Sequence, residues 1–241
     1  RFGSGFQKTA GTGYPEIQKI YPQEESQLAD VWSKYMPSDR YDCGNIDFCN
    51  DGDKLHSIKT LEDFMSEKIL LIDGHSILNR AFYGLPDLTN SEGKHTGAVY
   101  GFLNILLRTI EEEKPQYLTV AFDLKAPTFR HKMFEAYKGT RKPMPEELRE
   151  QVPLIKEMLT AMGVNVVTKE GYEADDILGT LARKSEAAGM DATILSGDRD
   201  LLQLATDKVM IRLPKTVRGK TTIEDYHAQQ VIEKYQVTPP Q

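Results

Sequence analysis

A chain of 241 residues, 39% hydrophobic and 27% charged, is long enough for one or two domains with a sizeable core. It has no apolar run near the roughly 20 residues that span a bilayer, no apolar signal core after its Gly-rich polar start, and only Cys43 and Cys49, too few for a disulfide framework; together these point to the cytoplasm. A net charge of −6 argues against a nucleic-acid partner only if charge is evenly spread, yet Lys125, Arg130, Lys132, Lys138, Arg141 and Lys142 share one segment with Glu135 as its single acid.

Residues 1–64 show no repeat and no core-sized apolar pattern. "EESQLADVWSKYM" places Leu28, Val31, Trp32 and Tyr35 on one helical face, and the rest is turn-rich, so a weakly ordered extension with one helix is expected. A calcium loop around Asp47, Asp51 and Gly52 fails because Ile58 stands where a carboxylate is required. Cys43, Cys49 and His56 do not have the spacing of a zinc finger.

From Met65 the pattern changes. "KILLIDG" (68–74) reads as a buried strand ending in Asp-Gly and leading to a turn, "GAVYGFLNILLRTIEEE" (97–113) as a helix, and "QYLTVAFD" (116–123) as a second buried strand ending in Asp. "PEELREQVPLIKEMLTAMG" (145–163) predicts a helix bent or restarted near Pro153, followed by a third strand in "VNVVT". "EADDILGTLARKSEAAG" predicts a helix stopped by Gly189, and "DATILSGDRD" a fourth strand and turn. "LLQLA" suggests a short helix, "KVMIRLP" a fifth strand, and "TIEDYHAQQVIEKY" a last helix. Alternating strands and helices predict an α/β fold, a mostly parallel central sheet with helices on both faces.

In such sheets sites form at the carboxyl ends of strands, near a switch in strand order. Asp73 and Asp123 end the first two strands, Asp198 and Asp200 follow the fourth, and Glu173, Asp175 and Asp176 open the helix after the third. Singly, each is an ordinary turn or cap residue. Gathered at one edge, they repel one another unless cations sit among them. An all-oxygen set of this kind suits magnesium, with manganese able to substitute. Two such ions about 4 Å apart can activate water and stabilise both oxygens of an in-line phosphoryl displacement.

"ILLIDGHSILNRAFYGLP", "VAFDLKAPTFRHKMFEAYKGTRKPMPEEL", "GYEADDILGTLA" and "ILSGDRDLLQL" together resemble the 5′→3′ exonuclease domain of bacterial DNA polymerases of the polymerase I type, within the wider flap-endonuclease family. The resemblance runs over 65–241 and implies a PIN-like fold and metal-dependent hydrolysis of phosphodiesters near 5′ ends, flaps, nicks and RNA primers. It implies two magnesium ions held by Asp73, Asp123, Glu173, Asp175, Asp176, Asp198 and Asp200, with Asp175 in direct contact. Tyr137, Lys138 and Arg141 match its "YKxxR" element. Lys138 and Arg141 would act at the scissile phosphate and Tyr137 would stack on a base. Arg80 in "LNRAFYG" would contact phosphate, and Lys125, Arg130 and Lys132 would lie along the strand's path or on a solvated face. His75 and His95 would be structural.

The family carries a further acidic motif of the form GDxSDN and a helix–hairpin–helix region, which on this pattern would lie beyond Gln241. The expectation is therefore a partial domain of a monomeric bacterial protein, with a polymerase region elsewhere on the full chain. Two other readings stay open: a nucleic-acid-binding fragment without turnover, and a magnesium-dependent phosphatase with Asp73 as nucleophile. The phosphatase chemistry usually wants a second acid two residues on, where His75 stands.

Overall fold

The computed structural model describes residues 67–134, 136–139, 142–217 and 220–240. The expected extension over 1–64, with its helix and its Cys43, Cys49 and His56, lies outside the described residues, as does Arg141.

Six strands form one sheet: β1 (Lys68–Asp73), β2 (Tyr117–Ala121), β3 (Asn165–Val167), β4 (Asp191–Leu195), β5 (Val209–Val217) and β6 (Lys220–Tyr226). Their spatial order is β3-β2-β1-β4-β5-β6, all parallel except the β5–β6 pair. The chain winds outward from β1 through β2 to β3, then returns to β4 on the other side of β1. The order therefore reverses between β1 and β4, and the crevice beyond their carboxyl ends is where an open α/β sheet binds its ligand.

Buried strands with side chains alternating between faces need a helical layer on each side. One face of the sheet, with Leu70, Ile72, Leu118 and Val120, packs on α1 (Gly74–Gly84), α2 (Gly97–Glu113) and α5 (Gln151–Ala161) through Leu78, Phe102, Leu106, Ile155 and Leu159. The other face, with Ile69, Leu71, Ile194 and Ile211, packs on α6 (Ala174–Ala187), a 3-10 turn (Arg199–Leu204) and α7 (Ala228–Tyr235). Short helices α3 (Phe129–Met133) and α4 (Glu146–Arg149) lie in the connection between β2 and α5. The expected restart near Pro153 falls at Glu150, which leaves Pro153 in the first turn of α5, where its missing N–H costs no hydrogen bond. Gly189 stops α6 with φ +83, a left-handed conformation that a side chain would strain.

Two local expectations are corrected. The stretch after "KILLID" is not merely a turn: Gly74–Gly84 is a helix, capped by Asp73. The last helix was expected over "TIEDYHAQQVIEKY", but only Ala228–Tyr235 is helical, and Lys220–Tyr226 pairs antiparallel with β5. Cross-strand partners override the local pattern there: Lys215 Nζ lies 2.9 Å from Glu224 and Arg212 Nε 2.8 Å from Asp225.

Candidate active site

Three carboxylates at the reversal of strand order are helix caps as well as site candidates. Asp73 ends β1 and caps α1, its Oδ1 accepting the Ser76 N–H at 3.0 Å. Its Oδ2 accepts the Ser196 hydroxyl at 3.0 Å, a bond that joins the ends of β1 and β4. Asp198 caps the 3-10 turn, accepting the Asp200 N–H at 2.9 Å, and its own N–H donates to Ser196 Oγ at 3.1 Å. Asp123, two residues past β2, accepts the Ala174 N–H of the first turn of α6 at 2.6 Å. Glu173 is the N-cap of α6. The N-termini of α1 and α6 thus both open onto this edge, and their dipoles partly offset the negative charge.

The acids divide into two electrostatic groups. Burial, then the charges of Asp123 and Asp198, push the Asp73 carboxyl up to about 6, against the lowering effect of its bonds to Ser76 and Ser196. Burial, then Asp73, Asp198 and Asp123, push Asp175 up to about 7. These four carboxylates repel one another without a neutralising partner of matching number. Glu173 and Asp176 are different: Lys138 Nζ lies 2.8 Å from Glu173, and Arg130 makes a two-pronged contact to Asp176 at 2.7 and 2.8 Å. Arg130 holds the Asp176 carboxyl below the usual range. Asp200 is exposed at the start of the 3-10 turn.

The expected basic residues are also placed. Tyr137 donates its hydroxyl to Glu173 at 3.3 Å, and Lys138 adopts a left-handed backbone, φ +57. Lys125 and Lys132 are exposed. Arg80 is half-buried, and its Nε is a buried donor with no partner among the described residues. Its guanidinium comes within 4.0 Å of the place a side chain on Gly197 would occupy, beside the acids. A buried unpaired donor facing this edge suits an incoming oxyanion. His75 accepts the Asp123 N–H at 3.3 Å, stacks edge-on against Phe122 at 5.2 Å, and is pushed below its usual value by burial, so its role is packing and hydrogen bonding. His95 pairs with Asp87 at 2.8 Å.

Ser76 and Ser196 belong to the site but were not singled out from the sequence. The only signal was their position, three residues after the Asp of "IDGHS" and two before that of "SGDRD". Among the described residues no group of three or more Asp, Glu, His or Cys side chains is gathered closely enough to hold a metal ion as it stands. The fit to a divalent cation rests on the donor set: all oxygen, partly buried and mutually repelling. For a phosphatase nucleophile Asp73 is poorly placed, since it is 7% exposed and both its oxygens accept hydrogen bonds.

Residues 68–236 match the family described as 5′-3′ exonuclease, N-terminal resolvase-like domain. The chain is 49% identical over 175 residues to DNA polymerase I of Bacillus subtilis, covering 73% of this chain and 20% of that protein. Against the thermostable DNA polymerase I of Thermus filiformis it is 44% identical over 173 residues, covering 72% and 20%. The chain thus spans about a fifth of the length of these relatives. In fold it is similar to a T5 protein co-crystallised with metal ions, with TM-score 0.54, 20% identity, and 71% of this chain and 61% of that one covered. It is similar too to a T5 5′-exonuclease with zinc ions bound, with TM-score 0.52, 17% identity, and 71% and 62% covered.

Proposed function

Because this chain belongs to the 5′-3′ exonuclease N-terminal resolvase-like domain family, we propose that its strand-end acids hydrolyse phosphodiesters near 5′ ends of DNA or of RNA primers. The single observation that carries this is the set of four repelling carboxylates, Asp73, Asp123, Asp175 and Asp198, at the reversal of strand order, with Asp73 raised to about 6 and Asp175 to about 7. Nothing in the packing of a fold rewards that arrangement; a bound cation does.

Asp73, Asp175, Asp123 and Asp198 would hold one divalent cation, with Asp200 at its margin for a second, while Glu173 and Asp176 are engaged by Lys138 and Arg130. Magnesium is the proposed ion because all donors are hard oxygens. A divalent cation there would supply Lewis-acid activation of water and neutralise charge on the phosphate. The hydrolysis adds water across one P–O ester bond, leaving a phosphate monoester on one product and a hydroxyl on the other. Arg80, with its unpaired buried Nε, would receive a phosphate oxygen from the strand. Lys138 and Arg141 would stabilise the charge that grows on the reacting phosphate, and Tyr137 offers a ring for stacking on a neighbouring base. Ser76 and Ser196 hold Asp73 in place, and the buried Phe122 packs against Gly74 and edge-on against His75 beside it.

The relatives named DNA polymerase I suggest that a polymerase domain accompanies such a domain, and that its work belongs to replication and repair in a bacterial cell. No helix among the described residues is long and apolar enough to cross a membrane. A second reading, a nucleic-acid-binding module without turnover, is favoured by the pairing of two of the acids with the protein's own cations, Asp176 with Arg130 and Glu173 with Lys138. A 5′-flap substrate with magnesium separates the two. Release of a labelled 5′ fragment, abolished by EDTA, supports the nuclease. Binding with no cleavage at any magnesium or manganese concentration would overturn it.

A further inference from the structure

Among the described residues of the basic segment, the half-buried Arg130 is the most tightly engaged cation, and its partner is the protein itself. The end of its planar guanidinium is held by Asp176 in a two-pronged contact, Nη1 to Oδ2 at 2.7 Å and Nη2 to Oδ1 at 2.8 Å. The guanidinium also lies over the Phe129 ring at 4.5 Å, and that ring packs on Tyr172 at 5.9 Å. The Phe129 N–H donates to Gly171 O at 3.0 Å, so α3 is fastened to the loop that enters α6 by backbone as well as by charge. Asp176 Oδ2 in turn accepts the Glu173 N–H at 3.0 Å, which fixes the cap of α6. Between those two residues, the Ala174 N–H is bonded to Asp123, and Asp175 feels the charges of Asp73, Asp198 and Asp123.

We propose that Arg130 is a positioning residue: through its two-pronged contact with Asp176 it sets the first turn of α6 and so aims Asp175 at Asp73, Asp123 and Asp198. This rests on the reading that those four carboxylates hold a divalent cation. It assigns Arg130 to the protein's own acid, where the family resemblance left it along the strand's path or on a solvated face. With both terminal nitrogens turned to Asp176 and Nη1 also 3.6 Å from Glu173, the end of the fork is committed to the protein's own acids, whereas Arg80 has an unpaired buried donor among the described residues. It also assigns Asp176 to the support of the site. With its carboxylate shared between Arg130 and the Glu173 N–H, its task is to hold the turn on which Asp175 stands.

The test is Mn2+ binding to the whole chain without nucleic acid, read by the loss of the free-ion paramagnetic resonance signal, beside thermal unfolding in EDTA. Arg130→Met and Asp176→Asn should each weaken Mn2+ affinity about 10- to 100-fold, the usual range for partners that orient a ligand. The double variant should lose no more than either alone, and Arg130→Lys, which keeps the charge but not the fork, should fall between. Unchanged Mn2+ affinity in Arg130→Met, even with a lower Tm, would reduce Arg130 to a structural residue and overturn the proposal. Tighter binding in Arg130→Met would overturn it too, since that is the result if Arg130 competes with the cation for Asp176. If Arg130→Met does not fold, Arg130→Lys and Asp176→Asn decide by the same readout. Failure of the unaltered chain to bind Mn2+ would sink the metal reading and this inference together, whereas binding untouched by these substitutions sinks the inference alone.

Discussion

Asp175→Asn should make the protein more stable in EDTA while removing its activity. The substitution keeps the shape of the side chain and deletes one charge from a group that burial and three neighbouring carboxylates raise from 3.8 to about 7. The folded state therefore keeps a proton that the unfolded chain releases earlier, so stability falls as pH rises from about 4 to about 7 and the full penalty stands above that. One pKa unit is worth about 1.36 kcal/mol, so a shift of roughly 3 units caps the penalty at about 4 kcal/mol. Asp73 is raised by the same repulsion, and counting it in both places would double it, so about 2–3 kcal/mol is the expected relief. For a domain of this size that is a rise in Tm of about 4–12 °C. Thermal unfolding followed by circular dichroism at about pH 8.5 in EDTA should show the gain, and at about pH 4 it should shrink to a small fraction, because the carboxyl is then largely neutral in the folded chain and about half neutral in the unfolded one. Saturating magnesium should reverse the order at high pH, since at a thousandfold excess over Kd the unaltered chain gains about 4.1 kcal/mol, more than the relief. A variant no more stable than the unaltered chain at high pH, or equally stabilised at both pH values, would refute the reasoning.

Asp198→Ala should abolish magnesium-dependent cleavage with little change in the far-ultraviolet circular dichroism; full activity would sink the metal assignment. Gly74→Ala should destabilise by about 1–3 kcal/mol, because the new Cβ would lie 2.5 Å from the Phe122 ring; chemical denaturation should show the loss, and adding Phe122→Leu should recover part of it. Arg212→Met should cost about 3–5 kcal/mol, since this buried guanidinium sits 2.9 Å from Glu112, 2.8 Å from Glu113 and 2.8 Å from Asp225, and its loss leaves those acids facing one another. The same denaturation measurement checks it, and a Tm within about 2 °C of the unaltered chain would refute it.

The parallel part of the fold was legible because its strands are short apolar runs closed by Asp or Gly, and burial on both faces leaves that mark on sequence. The edge strand β6 was not. "TIEDY" is polar, and what makes it a strand is the acids that meet Lys215 and Arg212 across the pair, a contact no local pattern carries. The helix from Gly74 escaped notice for a related reason. Its opening "GHS" looks like a turn until Asp73 caps it and Phe122 takes the space a side chain on Gly74 would need. Among the site residues, the acids were legible as a list and not as a partition. Spacing puts Glu173 and Asp176 on one side of a helix and Asp175 on another, but only the structure brings Arg130 and Lys138 against the first two.

That partition also dissolves the choice between capping residue and site residue. Asp73 and Asp198 each give one oxygen to the N–H of a helix or turn they cap, and Asp123 gives one to the first turn of α6. Capping fixes the carboxylate in one rotamer with its charge aimed past the strand end, which is the preorganisation a cation site requires. It also helps keep an acid ionised against its neighbours, since a backbone donor stabilises the charged form. Asp175 accepts no backbone N–H of this kind among the described residues, and burial with the neighbouring acids outweighs Lys138 and pushes it up to about 7, the largest rise of the set. The charge that no cap satisfies and Lys138 only partly offsets is thus concentrated on one residue, Asp175 of "EADD". It follows that occupancy of the site by a divalent ion should be felt there first. The proton that Asp175 holds near neutral pH is the one a cation must displace, so metal affinity should climb as pH rises toward 8 and level off beyond it.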